Sequence, residues 1–290
     1  MVTNYLRLLR VHQYLKNTFV FAPLFFSGNI MNIDKLKSSF ICFSLFCLAA
    51  SSIYIFNDFR DLENDKIHPE KKNRPLASGK INKNFALNLA MVLALMSLLF
   101  AYVFLVSVLW ILVGYLILNI LYTISLKKIP IIDVVIVSIG FVLRIFAGGN
   151  GSEINVSHWL VIVTFLLALF IAFAKRRDDL IIEKNTGIVV RKSAKTYNVE
   201  FINSVISVLC AVIIVTYILY VTSEEVVFRF EDKPVYISSI FVIIGLLRYL
   251  QLTIVENKSG SPTDLMFKDR FLQITISGWV LFFAIIIYYK

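Results

Sequence analysis

The chain has 290 residues, of which 58% are hydrophobic and only 17% are charged. This composition is more apolar than that of a soluble globular domain and predicts one integral-membrane domain over residues 1–290. The net charge of +10 would suit a nucleic-acid partner. The basic residues lie in short segments between apolar runs, however, so we expect anionic membrane lipid and phosphorylated substrates as partners, and no nucleic acid. The three cysteines fall in apolar runs, so neither a disulfide framework nor a zinc site is predicted.

Residues 1–16 come first, and from residue 4 onwards apolar and basic side chains alternate at helical spacing. This pattern predicts an amphipathic helix lying in the membrane interface. Nine apolar runs follow, which we predict to cross the membrane as helices. Pro23 and Gly28 interrupt the first of them. The predicted spans are 18–33, 39–56, 85–106, 108–126, 129–147, 158–174, 201–222, 236–255 and 271–289.

The distribution of positive charge predicts the orientation of these helices. If the N-terminus lies inside, 22 of the 29 Lys and Arg residues fall in inner segments and five in outer ones. Inner loops of membrane proteins carry this excess. We therefore predict an all-α, polytopic protein of the cell inner membrane, with nine transmembrane helices, the N-terminus inside and the C-terminus outside.

The inner loop 57–83 begins with the most informative motif in the chain. Asn57, Asp61 and Asp65 are four residues apart, so on a continuous helix their side chains face one way. Three oxygen ligands in this arrangement suit a Mg²⁺ ion that also holds the phosphates of a substrate. We take them as candidate catalytic and metal-binding residues; the alternative is a solvated turn after a span. Asp58 lies about 100° around the helix and is a weaker candidate.

Basic and aromatic side chains flank this motif. Lys71 and Arg74 follow it and are candidates for contacting phosphate oxygens. The general excess of positive charge in inner loops is the alternative explanation for both. Tyr54 lies one helical turn before Asn57, which places its hydroxyl beside the predicted metal ligands. Tyr54 is therefore either a substrate contact or an aromatic residue of the membrane interface.

The inner loop 175–198 contains a second charged motif. Asp179 and Glu183 are again four residues apart, and Lys175 and Arg176 precede them. We predict that the two motifs face each other across a central cavity. Asp179 would then be a further metal ligand and the two basic residues would contact phosphate. The alternative is a helix-stabilising salt bridge between Lys175 and Asp179.

Arg144 is a basic residue within the fifth predicted span. An arginine in hydrocarbon costs several kcal/mol unless it is paired, so we expect a buried anion as its partner. Asp133 shares its helix face but lies about three turns, roughly 16 Å, away and is too distant. The partner is then either an acid on another helix or a lipid-borne phosphate, which Arg144 would hold together with Lys127.

These motifs resemble those of the UbiA-type intramembrane prenyltransferases, which are nine-helix enzymes with two Asp-rich motifs over a central cavity. Within that superfamily, the chain is most similar to the branch that transfers a phosphoribosyl group to a polyprenyl phosphate such as decaprenyl phosphate. The two family motifs correspond to Asn57-Asp58-x-x-Asp61-x-x-x-Asp65 and Lys175-Arg176-x-x-Asp179-x-x-x-Glu183. The similarity to the branch lies in residues 9–17 (LRVHQYLKN), 68–79 (HPxKxxRPxAxG) and 141–144 (FVLR).

The resemblance implies a membrane glycosyltransferase with 5-phosphoribosyl-1-diphosphate (PRPP) as donor, a polyprenyl phosphate as acceptor and Mg²⁺ as cofactor. Asn57 and Asp61 would hold the metal, whereas Lys127 and Arg144 would bind the lipid phosphate. A lipid phosphate is already an anionic nucleophile, so no general base is expected. The candidate PRPP ligands are Lys16, Tyr54, Lys71, Arg74, Lys175 and Arg176.

Two other functions stay open. UbiA-type transfer of a polyprenyl group from its diphosphate to an aromatic acceptor would use the same metal site. A transporter or lipid-binding scaffold is the third class, but polar loops at one face, rather than broken helices at mid-membrane, argue against it. The branch implies a role in cell wall biosynthesis, and a homo-oligomer is compatible with it.

Overall fold

The computed structural model describes residues 2–67, 71–187, 196–231, 233–257, 265 and 268–289. All regular structure in this part of the chain is helical, as the composition predicts. Contacts between residues divide the chain into two compact units, Met1–Val156 and Ser157–Lys290. We call them the N-terminal unit and the C-terminal unit.

The N-terminal unit begins with a long 3₁₀ segment between two short α-helices. This segment has 11 residues, which is unusual because 3₁₀ runs rarely exceed about four. The main elements of the unit are α1 (Val2–Leu9), the 3₁₀ segment (Val11–Phe21), α2 (Ala22–Phe26), α3 (Ile33–Arg60), α4 (Leu62–Ile67), α5 (Lys83–Phe104), α6 (Val106–Ile124) and α7 (Ile132–Gly151).

The C-terminal unit has its own buried polar contacts between helices. Tyr217 Oη lies 2.8 Å from Ser238 Oγ, and Trp279 Nε1 donates to the same tyrosine oxygen at 2.8 Å. A π-helical turn, Gln251–Val255, continues the fourth helix of the unit. The helices are α8 (His158–Thr186), α9 (Val199–Val221), α10 (Glu224–Arg229), α11 (Ser238–Leu250) and α12 (Arg270–Tyr288).

Eight of the described helices are long and apolar enough to cross a membrane. They correspond to eight of the nine predicted spans. The prediction of a continuous first span over 18–33 is wrong, because the 3₁₀ segment, α2 and a turn divide this region. Pro23 lies in the first turn of α2, and Gly28 follows its end with a φ of 76°. Both residues favour the breaks that the structure shows.

The predicted amphipathic helix over 1–16 is also divided. α1 ends at Leu9, and Arg10 adopts a left-handed conformation with a φ of 53°. This conformation is uncommon for a residue with a side chain. Arg10 forms an ion pair with Asp58 of α3, and this contact stabilises the bend between α1 and the 3₁₀ segment.

The 3₁₀ segment packs against α3, and the two run in opposite directions. Tyr14 Oη lies 2.8 Å from Ser51 Oγ, whereas Asn17 Nδ2, further along the segment, donates to Cys47 Sγ at 3.2 Å. Apolar side chains from the 3₁₀ segment, α3, α6 and α7 form one buried core. Its members include Val20, Phe46, Leu112 and Ala147.

Candidate active site

The first charged motif lies where α3 ends. A break separates α3 from α4 at Asp61, but the backbone keeps its four-residue spacing. Asp61 N donates to Asn57 O, and Asp65 N donates to Asp61 O, both at 2.9 Å. The three side chains nevertheless do not share one partner. The structure brings together Asn57 and Asp61, whereas Asp65 belongs to a separate network, so the predicted common face is wrong for Asp65.

Asn57 and Asp61 converge on the ammonium group of Lys127. Lys127 Nζ donates to Asp61 Oδ1 at 2.6 Å and to Asn57 Oδ1 at 3.3 Å. Lys127 lies in the short 3₁₀ turn Leu126–Lys128, which connects α6 to α7. One carboxylate and one carboxamide oxygen therefore point at a single positive charge. Mg²⁺ is commonly held by one or two carboxylates together with substrate phosphates, so this donor set fits such an ion.

A partly buried ion-pair network joins the neighbouring acidic residues to two arginines. Arg74 Nη1 donates to Asp58 Oδ1 at 2.9 Å and to Asp65 Oδ2 at 2.6 Å. Arg10 donates to the same oxygen of Asp58. The side chain of Asp58 is only 2% exposed. Burial raises the pKa of Asp65, and Arg74 opposes this shift. Arg74, predicted to contact phosphate, is thus held between two buried carboxylates of the protein.

Arg144 is buried in the N-terminal unit, and its partners are neutral oxygen atoms. Its Nε donates to Asn17 Oδ1 at 2.8 Å, its Nη1 to Gly140 O at 2.6 Å and its Nη2 to Tyr115 Oη at 3.1 Å. No acid of another helix pairs with Arg144 among the described residues, so that alternative is wrong, and the lipid-borne phosphate stays a prediction. Aromatic faces take the place of the acid, since a guanidinium is attracted to them. These faces belong to Phe46, Tyr115 and Phe141.

Lys127 and Arg144 lie at different depths of the unit. The amide of Asn17, which binds Arg144, also contacts Cys47 on α3. Asn57, which binds Lys127, is ten residues further along α3, or roughly 15 Å at 1.5 Å per residue. The two cations have different protein partners, and their predicted pairing on one lipid phosphate stays a prediction.

Lys16 and Tyr54, two predicted donor contacts, have different surroundings. No hydrogen bond or ion pair joins Lys16 to the other residues that the structure describes. Burial and the guanidinium groups of Arg144 and Arg10 lower the pKa of Lys16 to about 8. Tyr54 was expected beside the metal ligands, and its ring stacks with Arg10 at 5.1 Å from the guanidinium carbon.

The remainder of loop 57–83 is only partly described. Lys71 lies in a 3₁₀ turn, Lys71–Asn73, and is close enough to Asp65 to lower the pKa of that carboxyl against the effect of burial. Residues 68–70, which belong to the branch-specific segment, lie outside the described residues. Within the part of the chain that is described, no three His, Cys, Asp or Glu side chains form a group that could hold a metal ion.

The second charged motif lies on the last turns of α8, which continues to Thr186. Arg176 Nη1 donates to Asp179 Oδ2 at 2.8 Å, and the alternative salt bridge between Lys175 and Asp179 stays a prediction. Glu183 Oε2 is buried and has no hydrogen-bond partner among the described residues. Of the second loop, residues 188–195 lie outside the described part of the chain.

The profile of the UbiA prenyltransferase family matches residues 19–273. The chain belongs to this family. Two relatives resemble it over nearly its full length. Decaprenyl-phosphate phosphoribosyltransferase of Mycolicibacterium smegmatis is 33% identical, over 97% of this chain and 91% of the relative. The protein of the same name from Corynebacterium glutamicum is 30% identical, over 98% of this chain and 86% of the relative.

A solved structure of a UbiA homolog has the same fold. It is the Archaeoglobus fulgidus protein bound to DMAPP and Mg²⁺, with a TM-score of 0.72 and 19% identity, covering 99% of this chain and 100% of that one. Together with the eight apolar helices, membership of the UbiA family makes this protein a multi-pass membrane transferase.

Sequence reasoning missed three side chains of this UbiA-family site. Asn17 and Tyr115 were not expected to bind Arg144, although a polar group within or beside an apolar run is a signal of internal pairing. Arg10 was not expected to bind Asp58. No local sequence pattern predicts that contact, because it depends on the approach of α1 to the end of α3.

Proposed function

We propose that this protein transfers a 5-phosphoribosyl group from PRPP to a polyprenyl phosphate in the cell inner membrane, with Mg²⁺ as cofactor. The names of its M. smegmatis and C. glutamicum relatives support this donor and this acceptor. Within the chain itself, the observation that carries the proposal is the convergence of Asn57 and Asp61 on one cation.

Asn57 and Asp61 are the residues that would hold Mg²⁺. When bound, the ion neutralises charge on the departing diphosphate. We keep Asp179 as a proposed further ligand. Asp65 is already paired with Arg74, so its proposed part is to hold that arginine and the loop around it in place.

The donor phosphates would be bound by cationic side chains. Lys16 is the main candidate for a PRPP phosphate, because it is positively charged below its pKa of about 8 and has no described partner. Arg74 and Arg176 are each paired with carboxylates. We propose that they affect PRPP binding indirectly, by holding these carboxylates in place. The other proposed donor contacts are Tyr54, Lys71 and Lys175.

In the proposed reaction, a phosphate oxygen of the lipid attacks C1 of the ribose, and the bond from C1 to the diphosphate oxygen breaks. The products are a lipid phosphoribose and diphosphate. The nucleophile is an anion before the reaction begins, so no proton has to be removed. Lys127 is the proposed cation for the lipid phosphate. Arg144 is a positioning residue, since it binds Asn17, the neighbour of Lys16.

The experiment that tests this proposal uses purified protein, radiolabelled PRPP, a polyprenyl phosphate and Mg²⁺. We expect a labelled lipid that chelation abolishes and added Mg²⁺ restores. Full activity after thorough chelation would contradict the metal site. If no labelled lipid forms and the protein instead consumes a prenyl diphosphate with an aromatic acceptor, prenyl transfer is the function.

Asp61→Ala is the matching variant. Because Asp61 is partly exposed, 28%, its loss should abolish turnover without unfolding the protein. Glu63→Gln is the control, since Glu63 is an exposed carboxylate on α4 that pairs only with Lys66 in the contacts described. We expect the control to keep its activity.

A further inference from the structure

The ammonium group of Lys127 contacts both predicted metal ligands, Asn57 and Asp61. Lys127 Nζ lies 2.6 Å from Asp61 Oδ1 and 3.3 Å from Asn57 Oδ1. The side chains of Lys127 and Asp61 are 16% and 28% exposed, so ions can reach this pair from solution.

A divalent cation and this ammonium group compete for the two oxygens. Mg²⁺ binds oxygen at about 2.1 Å. A metal on Asp61 Oδ1 would therefore lie within about 4.7 Å of an ammonium nitrogen that is 2.6 Å from the same oxygen. Three positive charges would then be concentrated around one carboxylate, and their repulsion is strong in a partly buried site.

We infer that Lys127 is a tethered competitor of the metal, which occupies Asn57 and Asp61 until a divalent cation displaces it and then becomes available to a substrate phosphate. This inference rests on the proposed metal site. It gives one side chain two successive partners, a carboxylate before the metal binds and a phosphate afterwards. The metal is thereby coupled to the binding of a phosphorylated substrate, because the substrate offers the displaced ammonium a new anion.

The segment that carries Lys127 supports a side chain with two positions. It is a short connection, and Ile131 within it has a φ of 66°. Positive φ is a genuine outlier for a β-branched residue. Such strain persists only where surrounding contacts maintain it, and it is found at segments that switch. The contact of Lys127 with the end of α3 is one such restraint on the connection between α6 and α7.

The first test measures Mn²⁺ binding to the substrate-free protein by electron paramagnetic resonance. Lys127→Met removes the competitor, and we expect Mn²⁺ to bind roughly tenfold tighter or more than to the wild type. Lys127→Arg keeps a competing cation and should bind Mn²⁺ as weakly as the wild type. Lys128→Met is the matched control, because Lys128 is the exposed neighbour and has no described contact with the two ligands. Equal or weaker Mn²⁺ binding by Lys127→Met would overturn the inference.

A second test needs no variant, so it decides the matter even if Lys127→Met does not fold. The wild-type protein is treated with an amine-reactive reagent with and without Mg²⁺, and labelling of Lys127 relative to Lys128 is measured by mass spectrometry. Mg²⁺ should raise the relative labelling of Lys127, and unchanged or reduced labelling would overturn the inference. Neither test uses PRPP or a lipid, so a failure of the proposed reaction would not affect either result.

Discussion

Arg10, Lys16 and Arg144 lie close enough to influence one another, but their charges are balanced differently. Arg10 pairs with Asp58, and Arg144 is surrounded by neutral oxygen atoms and aromatic rings. Lys16 has neither kind of partner among the described residues. Its lowered pKa has burial as its first cause and the two guanidinium groups as the next. An anion bound beside Lys16 would relieve this repulsion, which is why we place a donor phosphate there.

This placement predicts how donor binding depends on pH. The pKa of Lys16 is lowered to about 8, so the side chain is charged at pH 7 and becomes neutral as the pH rises above 8. Between pH 7 and pH 9 its protonated fraction falls about tenfold. We expect the KM for PRPP to rise by about the same factor over this range, measured in steady-state assays of the purified protein.

Lys16→Arg is the control for this pH profile. An arginine stays charged throughout the range, so the KM for PRPP of this variant should be nearly independent of pH between 7 and 9. A wild-type KM that is equally flat would remove Lys16 from the donor site. A rise of the same size in both proteins would assign the titration to another group.

Arg144 allows a second prediction at this scale. Arg144→Ala leaves Asn17 Oδ1 and Tyr115 Oη buried without their donor, and each unsatisfied group costs about 1–3 kcal/mol. We therefore expect a lower Tm in detergent together with a lower kcat. A residue that only bound the lipid phosphate would instead raise the KM for the acceptor at unchanged Tm, and that outcome would contradict the positioning role.

At the scale of elements, the packing of the 3₁₀ segment against α7 depends on one glycine. A Cβ atom added to Gly148 would lie 1.9 Å from the carbonyl oxygen of Val20, and no side-chain rearrangement can relieve a clash with the backbone. The same segment carries Asn17 and Lys16, so its position governs both the Arg144 contacts and the proposed donor site.

Gly148→Ala should therefore displace the 3₁₀ segment. Overpacking of this kind typically costs about 1–3 kcal/mol, and we expect a lower Tm together with a higher KM for PRPP. Gly114→Ala is the matched control, because a Cβ at Gly114 of α6 meets no atom within 4 Å. Equal Tm values for the two variants would show that the close approach does not matter for stability.

The helices could be predicted from sequence more fully than the site. Runs of apolar residues give the existence of a spanning helix directly, and eight such helices are present in the described structure. The division of 18–33 could not be foreseen in detail, since a 3₁₀ segment of this length is not favoured by its own hydrogen bonds and depends on tertiary packing.

Within the site, the sequence identifies the polar side chains but does not predict which partners they bind. Asn57 and Asp61 do come together, as four-residue spacing suggests. Asp65 has the same spacing, yet it forms an ion pair with Arg74 in a separate network. Lys127 binds Asp61 from a segment that is 66 residues away in sequence. A contact of that kind has no periodic signal and requires the folded arrangement of α3, α6 and α7.

For the whole molecule, the distribution of charge and the number of membrane crossings together predict the side of the membrane on which each terminus lies. Most Lys and Arg residues fall in the segments predicted to be inside. Eight crossings would place both termini on the same side of the membrane, whereas a ninth crossing places them on opposite sides. Whether the chain crosses the membrane eight or nine times depends on the region 18–33. This region is not a continuous helix, but its first residues belong to a segment that packs along the spanning helix α3.

We expect nine crossings, with the N-terminus inside and the C-terminus outside. Alkaline phosphatase, which is active only outside the inner membrane, should be active when fused after Lys290 in a bacterial host, and a green fluorescent protein fused there should stay dark. The same reporters fused after Asn257, before α12, should give the opposite result, because one crossing fewer remains; this pair is the internal control. An inactive phosphatase and a bright fluorescent protein after Lys290 would mean an even number of crossings. In that case the region 18–33 would enter and leave the membrane on the inner face, and the 3₁₀ segment with Lys16 would be a re-entrant lining of the site.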